Sequence, residues 1–196
     1  MNVKIISWNV RGLNRRNKRR VIRSLILNWK ADVFCFQESK IEGDIEGIIK
    51  EIWGVRGIKY GQLEASGTKG GILMLWDSKV WKGEVVTTGA HSLTCKFESH
   101  SQDFNWHMTR VYAPNCIRER REVWWEIGGT RSLFTGPWVV AGDFNTVRFP
   151  SEKRNCSRIT KTMTEFSNFI EDMDLVDLPL EGGIYTWARG NSQETI

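Results

Sequence analysis

The sequence contains no apolar run approaching the length that spans a membrane. Its first residues, Met1-Asn2-Val3-Lys4-Ile5, enter a strand-like pattern at once and lack the layout of a signal peptide. The protein is therefore expected to be intracellular, in nucleus or cytoplasm, without a membrane partner. Cysteine is sparse and scattered: Cys35, Cys95, Cys116 and Cys156, with no Cys-x-x-Cys and no His-x-x-x-His. That argues against a structural zinc site, and without a secretory signal no disulfide is expected. The Gly-rich stretch Gly67 to Gly71 is not followed by Gly-Lys-Ser or Gly-Lys-Thr, which excludes the nucleotide-binding phosphate loop. There is no internal repeat, linker or low-complexity segment.

What is present is a globular composition. The 196 residues, 40% hydrophobic and 26% charged, suffice for one domain, 1–196, with a large core. Ten tryptophans are expected mostly in that core, with one or two free to stack on bases. The net charge of +5 has one source. Arg11, Arg15, Arg16, Lys18, Arg19, Arg20 and Arg23 lie in a stretch without acid. Setting those seven aside leaves 21 basic against 23 acidic residues. Such a patch suits a polyanion partner, most simply nucleic acid. A solvated helix start or a nuclear-import signal fits equally well.

Short apolar runs with β-rich composition predict strands over Val3 to Val10 (read as central), Asp32 to Glu38, Ile58 to Leu63, Ile72 to Trp76, Val80 to Thr88, Leu93 to Glu98 and Phe104 to Tyr112. Helical spacing predicts Lys18 to Trp29, a helix capped by Asp44 with Ile45, Ile48, Ile49, Ile52 and Trp53 inward, and Ile117 to Ile127 with Trp124 and Trp125 at its inner end. A further helix, Thr162 to Met173, opens on an apparent capping box, Thr162-x-x-Glu165. Trp138 to Asn145 reads as a strand buried on both faces, with Gly142 allowing a turn or close backbone approach. Gly182 to Trp187 reads as the start of another strand. The mixture indicates an α+β arrangement of sheets covered by helices.

Several of these strands end in polar chemistry: Asn9, Glu38, Tyr112, and the pair Asp143 and Asn145. Gathered on one rim, two carboxylates, two amides and a phenol suit hydrolysis of a phosphate ester with a hard divalent cation. One carboxylate would hold the metal, a second would orient water, and amide and phenol donors would hold phosphate oxygens. Each residue alone is more often structural.

Ser-Trp-Asn9-Val-Arg-Gly-Leu, Phe-Gln-Glu38-Ser, Arg-Val-Tyr112-Ala-Pro-Asn, Gly-Asp143-Phe-Asn145 and Tyr-Thr186-Trp resemble the endonuclease/exonuclease/phosphatase superfamily in order and spacing. The likeness is greatest to endonuclease domains of LINE-type retrotransposons. The resemblance implies a DNase I-like four-layer α/β/β/α sandwich and a Mg²⁺- or Mn²⁺-dependent DNA endonuclease, expected to act as a monomer. It implies Glu38 as metal ligand, Asn9 as metal or phosphate neighbour, Tyr112 at the scissile phosphate, Asp143 orienting the water, Asn145 stabilising the transition state and Thr186 beside a flanking phosphate. The loop after Asn9 would lie near DNA, bringing Arg11, Arg15, Arg16, Arg19 and Arg20 to the backbone. Family members continue to an Asp-containing strand and a Ser-Asp-His motif, whereas this sequence stops at Ile196, and His91, His100 and His107 match no family motif. The expectation is therefore an incomplete sandwich and a weak or inactive nuclease. Two alternatives stand beside it: a non-catalytic nucleic-acid-binding remnant, or a relative acting on small phosphoesters.

Overall fold

The computed structural model describes residues 2–41, 45–54, 56–65, 70–178 and 185. These fall into two compact units, Met1–Asp143 and Phe144–Ile196. In the first unit the chain runs β1 (Ile5–Asn9), α1 (Arg16–Trp29), β2 (Val33–Gln37), α2 (Ile45–Trp53), β3 (Ile58–Leu63), β4 (Ile72–Asp77), β5 (Trp81–Thr88), β6 (Ser92–Ser99), β7 (Asn105–Tyr112), α3 (Ile117–Arg131) and β8 (Trp138–Asp143). The strands form two four-stranded sheets, ordered β1-β2-β4-β3 and β5-β6-β7-β8. Each sheet is antiparallel except for one parallel edge pair, β1 with β2 and β7 with β8.

The layering follows from the period of two along the central strands. Phe34 and Phe36 of β2, with Leu73 and Leu75 of β4, pack with Ile22 and Ile26 of α1 and Ile49, Ile52 and Trp53 of α2. Their neighbours Val33, Cys35, Ile72, Met74 and Trp76 point the other way, into a second cluster with Trp81, Leu93, Cys95, Phe97, Trp106 and Met108 of the facing sheet. On the outside of that sheet, α3 buries Val123 and Ile127. The Glu126 carboxylate accepts from the backbone N–H groups of Ala90 and His91 and from the Ser92 hydroxyl, fixing α3 to the turn between β5 and β6. The result is the α+β arrangement that the sequence pattern predicts and the α/β/β/α layering that the family resemblance implies. All four cysteines are free, and burial pushes the Cys35 thiol up to about 12. Among the described residues, no helix is long and apolar enough to cross a membrane.

Three features differ from expectation. Among the described residues β1, read as central, is an edge strand, and so is β8, read as buried on both faces, whose every residue is only half-buried. Trp125 does not face inward; it is 83% exposed, because α3 turns Arg120, Val123, Ile127 and Thr130 to the sheet and adjacent residues lie about 100° apart around a helix. The last helix among the described residues, α4 (Lys161–Asp172), belongs to the second unit and is capped by Thr160, whose hydroxyl accepts from Met163 N at 3.3 Å. Thr162 lies inside its first turn, so the expected box at Thr162 and Glu165 does not form the cap. The inward face of α4 is as expected, with Met163, Phe166, Phe169 and Ile170 buried and the Phe144 ring 5.1 Å from that of Phe166. Asp44, Gly67 and most of Gly182 to Trp187 lie outside the described residues.

Candidate functional site

Parallel strands send their carboxyl ends off the same edge, so β1 and β2 deliver Asn9 and Glu38 side by side. The pairing continues past the strands: Val10 N donates to Gln37 O at 3.0 Å, Gly12 N to Glu38 O at 2.6 Å and Leu13 N to Ser39 O at 2.8 Å. Asn9 Nδ2 donates to Glu38 Oε1 at 2.6 Å, while Asn9 Oδ1 accepts from Arg11 N at 3.1 Å, which fixes how the amide faces. The other parallel pair ends with Tyr112 of β7 in register with Asp143 of β8. The Tyr112 hydroxyl donates to the same Glu38 Oε1 at 3.4 Å. Beneath this contact a buried bond crosses between the sheets, from Gln37 Nε2 to Val111 O at 2.9 Å. Gly142 supports the same point, since a Cβ there would run into the Val111 carbonyl oxygen. Asn9, Glu38 and Tyr112 are thus brought together, with Asp143 in register beside Tyr112.

The backbone here adopts rarely populated conformations. Arg11, Glu38 and Lys40 all have φ near +50°, a left-handed region that side chains other than glycine seldom occupy. Gly70 and Gly71 help hold this geometry by accepting from Lys40 N at 3.4 Å and Ser39 N at 3.2 Å. A Cβ on Gly71 would meet the Ser39 hydroxyl at 2.5 Å. Lys40 then curls back, with its Nζ 3.3 Å from Glu38 Oε2. Burial alone would raise Glu38, but the Asn9 hydrogen bond, Lys40 and Tyr112 together outweigh it and hold the carboxyl below its ordinary value. Burial, then the charges of Glu38 and Asp143, push the Tyr112 phenol up, so it remains a donor. Arg110, two residues before Tyr112, is wholly buried, and burial lowers it despite the opposing charge of Asp143.

Next to Lys40 opens a cavity of about 910 Å³ lined by Arg11, Gly12, Asn14, Arg15, Arg16, Asn17, Lys18 and Lys40. Its cations are crowded. Burial, then Arg11, Arg15 and Lys40, lower the Lys18 ammonium. Of the other residues expected at the DNA backbone, Arg20 is exposed on α1, but Arg19 is committed elsewhere. It pairs with Glu51 of α2 and donates to Leu13 O at 2.9 Å and Asn14 O at 2.6 Å, so it closes the loop onto the helices. Asn145 belongs to the second unit, where its φ is +50°, and Thr186 lies outside the described residues. Sequence reasoning passes over Lys40 and Gln37. Their only signal is position, one on either side of Glu38-Ser39.

The donor set can be weighed against a metal. Among the described residues, no three His, Cys, Asp or Glu side chains converge as a cage. A single carboxylate, oriented by an amide and a phenol, suits a hard cation that keeps most of its water. The same carboxylate already holds a cation, the Lys40 ammonium.

A family model described as the endonuclease/exonuclease/phosphatase family matches residues 6–195. Among solved structures, the chain resembles AP endonuclease LMAP from Leishmania major, with a TM-score of 0.63 and 15% identity over 87% of this chain and 66% of that one. It also resembles the endonuclease domain of TRAS1, a telomere-specific non-LTR retrotransposon, with a TM-score of 0.64 and 10% identity over 87% and 72%. The catalytic domain of Xenopus laevis APE2 matches with a TM-score of 0.57 and 17% identity over 87% and 67%. At these identities the structural likeness is one of fold, and this chain spans about two thirds of the Leishmania enzyme's length.

Proposed function

The chain belongs to the endonuclease/exonuclease/phosphatase family, and from that premise we propose that it is a divalent-metal-dependent phosphodiester hydrolase acting on DNA, of the LINE retrotransposon type. The observation that carries this reading is the Glu38 carboxylate, fixed by Asn9 and Tyr112 at the rim where both parallel strand pairs end. The likeness in fold to a retrotransposon endonuclease domain supports the finer assignment.

Glu38 would hold Mg²⁺ or Mn²⁺, with Asn9 keeping the carboxylate in place. When bound, the metal supplies positive charge to a phosphoryl group as negative charge develops on it. Tyr112, kept protonated, would donate to a phosphate oxygen. Asp143 would accept a hydrogen bond from the attacking water and aim its lone pair at phosphorus. Arg11, Arg15 and Arg16 would hold flanking backbone phosphates. By motif match alone, Asn145 would stabilise the transition state and Thr186 would meet a flanking phosphate.

The test is nicking of supercoiled plasmid with Mg²⁺, with Mn²⁺ and with chelator, for the wild type, Glu38→Gln and Asp143→Asn. We expect metal-dependent nicking that falls about 100-fold or more in each variant, the usual scale for loss of one group acting on the transition state. Nicking that resists chelator, or that survives Glu38→Gln at full rate, would overturn the proposal. The cation-lined cavity favours a second reading, nucleic-acid binding without catalysis. Salt-sensitive DNA binding with no nicking in any metal would select it.

A further inference from the structure

Lys40 stands at the boundary between two features. Its Nζ is 3.3 Å from Glu38 Oε2, and the same side chain lines the cavity of Arg11, Arg15, Arg16 and Lys18. Its backbone is anchored on both sides: Lys40 N donates to Gly70 O at 3.4 Å and Asn14 Nδ2 donates to Lys40 O at 2.5 Å. The Cα is therefore fixed while the four-carbon stem can swing. In the direction of Glu38 it meets a carboxylate. In the other direction it enters a space already crowded with like charge.

We propose that Lys40 is a two-position cation: counter-ion to Glu38 while the carboxylate lacks a metal, and a substrate-phosphate ligand in the cavity once a divalent ion has taken that carboxylate. This rests on the reading of Glu38 as metal ligand and deepens it by assigning a further substrate-binding residue. Metal and ammonium cannot both take Glu38 Oε2 without strong repulsion, so metal binding expels the ammonium. The expelled ammonium then lies beside Arg11, Arg15 and Lys18, and an anion in the cavity lowers the repulsion among them. Burial is the main cause that lowers the Lys18 ammonium, and Arg11, Arg15 and Lys40 lower it further, in keeping with that crowding. A phosphate of the DNA backbone is such an anion. Metal and DNA therefore bind with positive coupling, and linkage requires each to strengthen the other by the same factor.

The experiment measures Mn²⁺ affinity by electron paramagnetic resonance, with and without a short phosphorothioate duplex that keeps the phosphate charges and resists cleavage. Wild type, Lys40→Met, Lys40→Arg and Glu38→Gln are compared, with thermal melts to confirm folding. For the wild type, the duplex should tighten Mn²⁺ binding about 5-fold or more, the lower end of typical coupling. Lys40→Met, which has no competing charge, should bind Mn²⁺ more tightly than wild type without duplex and gain little from adding it. Lys40→Arg should keep the competition. Lys40→Met that binds Mn²⁺ no more tightly than wild type, or shows undiminished coupling, would overturn the inference while leaving the nuclease reading intact. Glu38→Gln that binds Mn²⁺ as wild type does would instead remove the reading beneath it.

Discussion

Glu38 gains its low-lying carboxyl from partners that exist only in the fold, so its charge is linked to stability. A folded value below the unfolded one, about 4.3, means the stabilising contribution is present above that value and is lost as pH falls through the lower, folded one. Glu38→Gln should therefore melt below the wild type at pH 7, with the gap closing on acidification below about pH 4.3. Melting curves from neutral to acid pH check this, and a gap that widens toward acid would contradict it. Gly142 offers a steric counterpart. A methyl there meets the Val111 carbonyl, which is backbone and cannot swing aside. Gly142→Ala should cost about 1–3 kcal/mol, the usual range for overpacking, seen as a lower denaturation midpoint. Because Val111 O also accepts the Gln37 bond, the same change should disturb Tyr112 more than Asn9.

Secondary-structure elements show where sequence patterns carry information and where they stop. The alternation in Val33-Phe34-Cys35-Phe36 announces a strand with two dry faces, and the polar residue after each such run marks the rim. Local chemistry writes both features. Which strands become edges depends on distant pairing, so β1 and β8 look more enclosed in sequence than they are among the described residues. Cap positions are fixed by a residue or two of backbone geometry, which is finer than periodicity resolves. The second unit supplies a direct comparison. Thr160→Ala removes the hydroxyl that accepts Met163 N and should cost about 1 kcal/mol. Thr162→Ala, inside the first turn, should change stability little. Equal losses for the two, measured by chemical denaturation, would return the cap to the position that sequence spacing suggests. Lys40 is illegible for another reason: a lysine after a strand looks like any solvated loop residue until its partner is seen.

At the scale of the whole molecule, the positive excess of one short segment divides into separate tasks. Arg19 joins loop and helices; Arg15, Arg16 and Arg20 are exposed, Arg16 lying 3.3 Å from Glu51, and Arg11, Arg15, Arg16 and Lys18 line the cavity. Replacing Arg15, Arg16 and Arg20 together with alanine should flatten the salt dependence of DNA binding by about 0.9 in log K per log salt for each phosphate no longer neutralised. Arg19→Ala should instead lower the melting temperature with little change in slope. An unaltered slope in the triple variant would assign the cluster to import or solubility. The seam between the two sheets carries one further consequence. Trp81 meets Trp106 edge-on at 5.8 Å, Phe97 at 6.3 Å and Phe104 at 6.4 Å, all in or against the buried cluster that joins the sheets. Rings locked in one asymmetric arrangement give circular dichroism in the near ultraviolet, and that signal disappears when packing loosens even if strands persist. The seam therefore carries its own optical label, silent to events at the exposed Trp125 and extinguished when the sheets part.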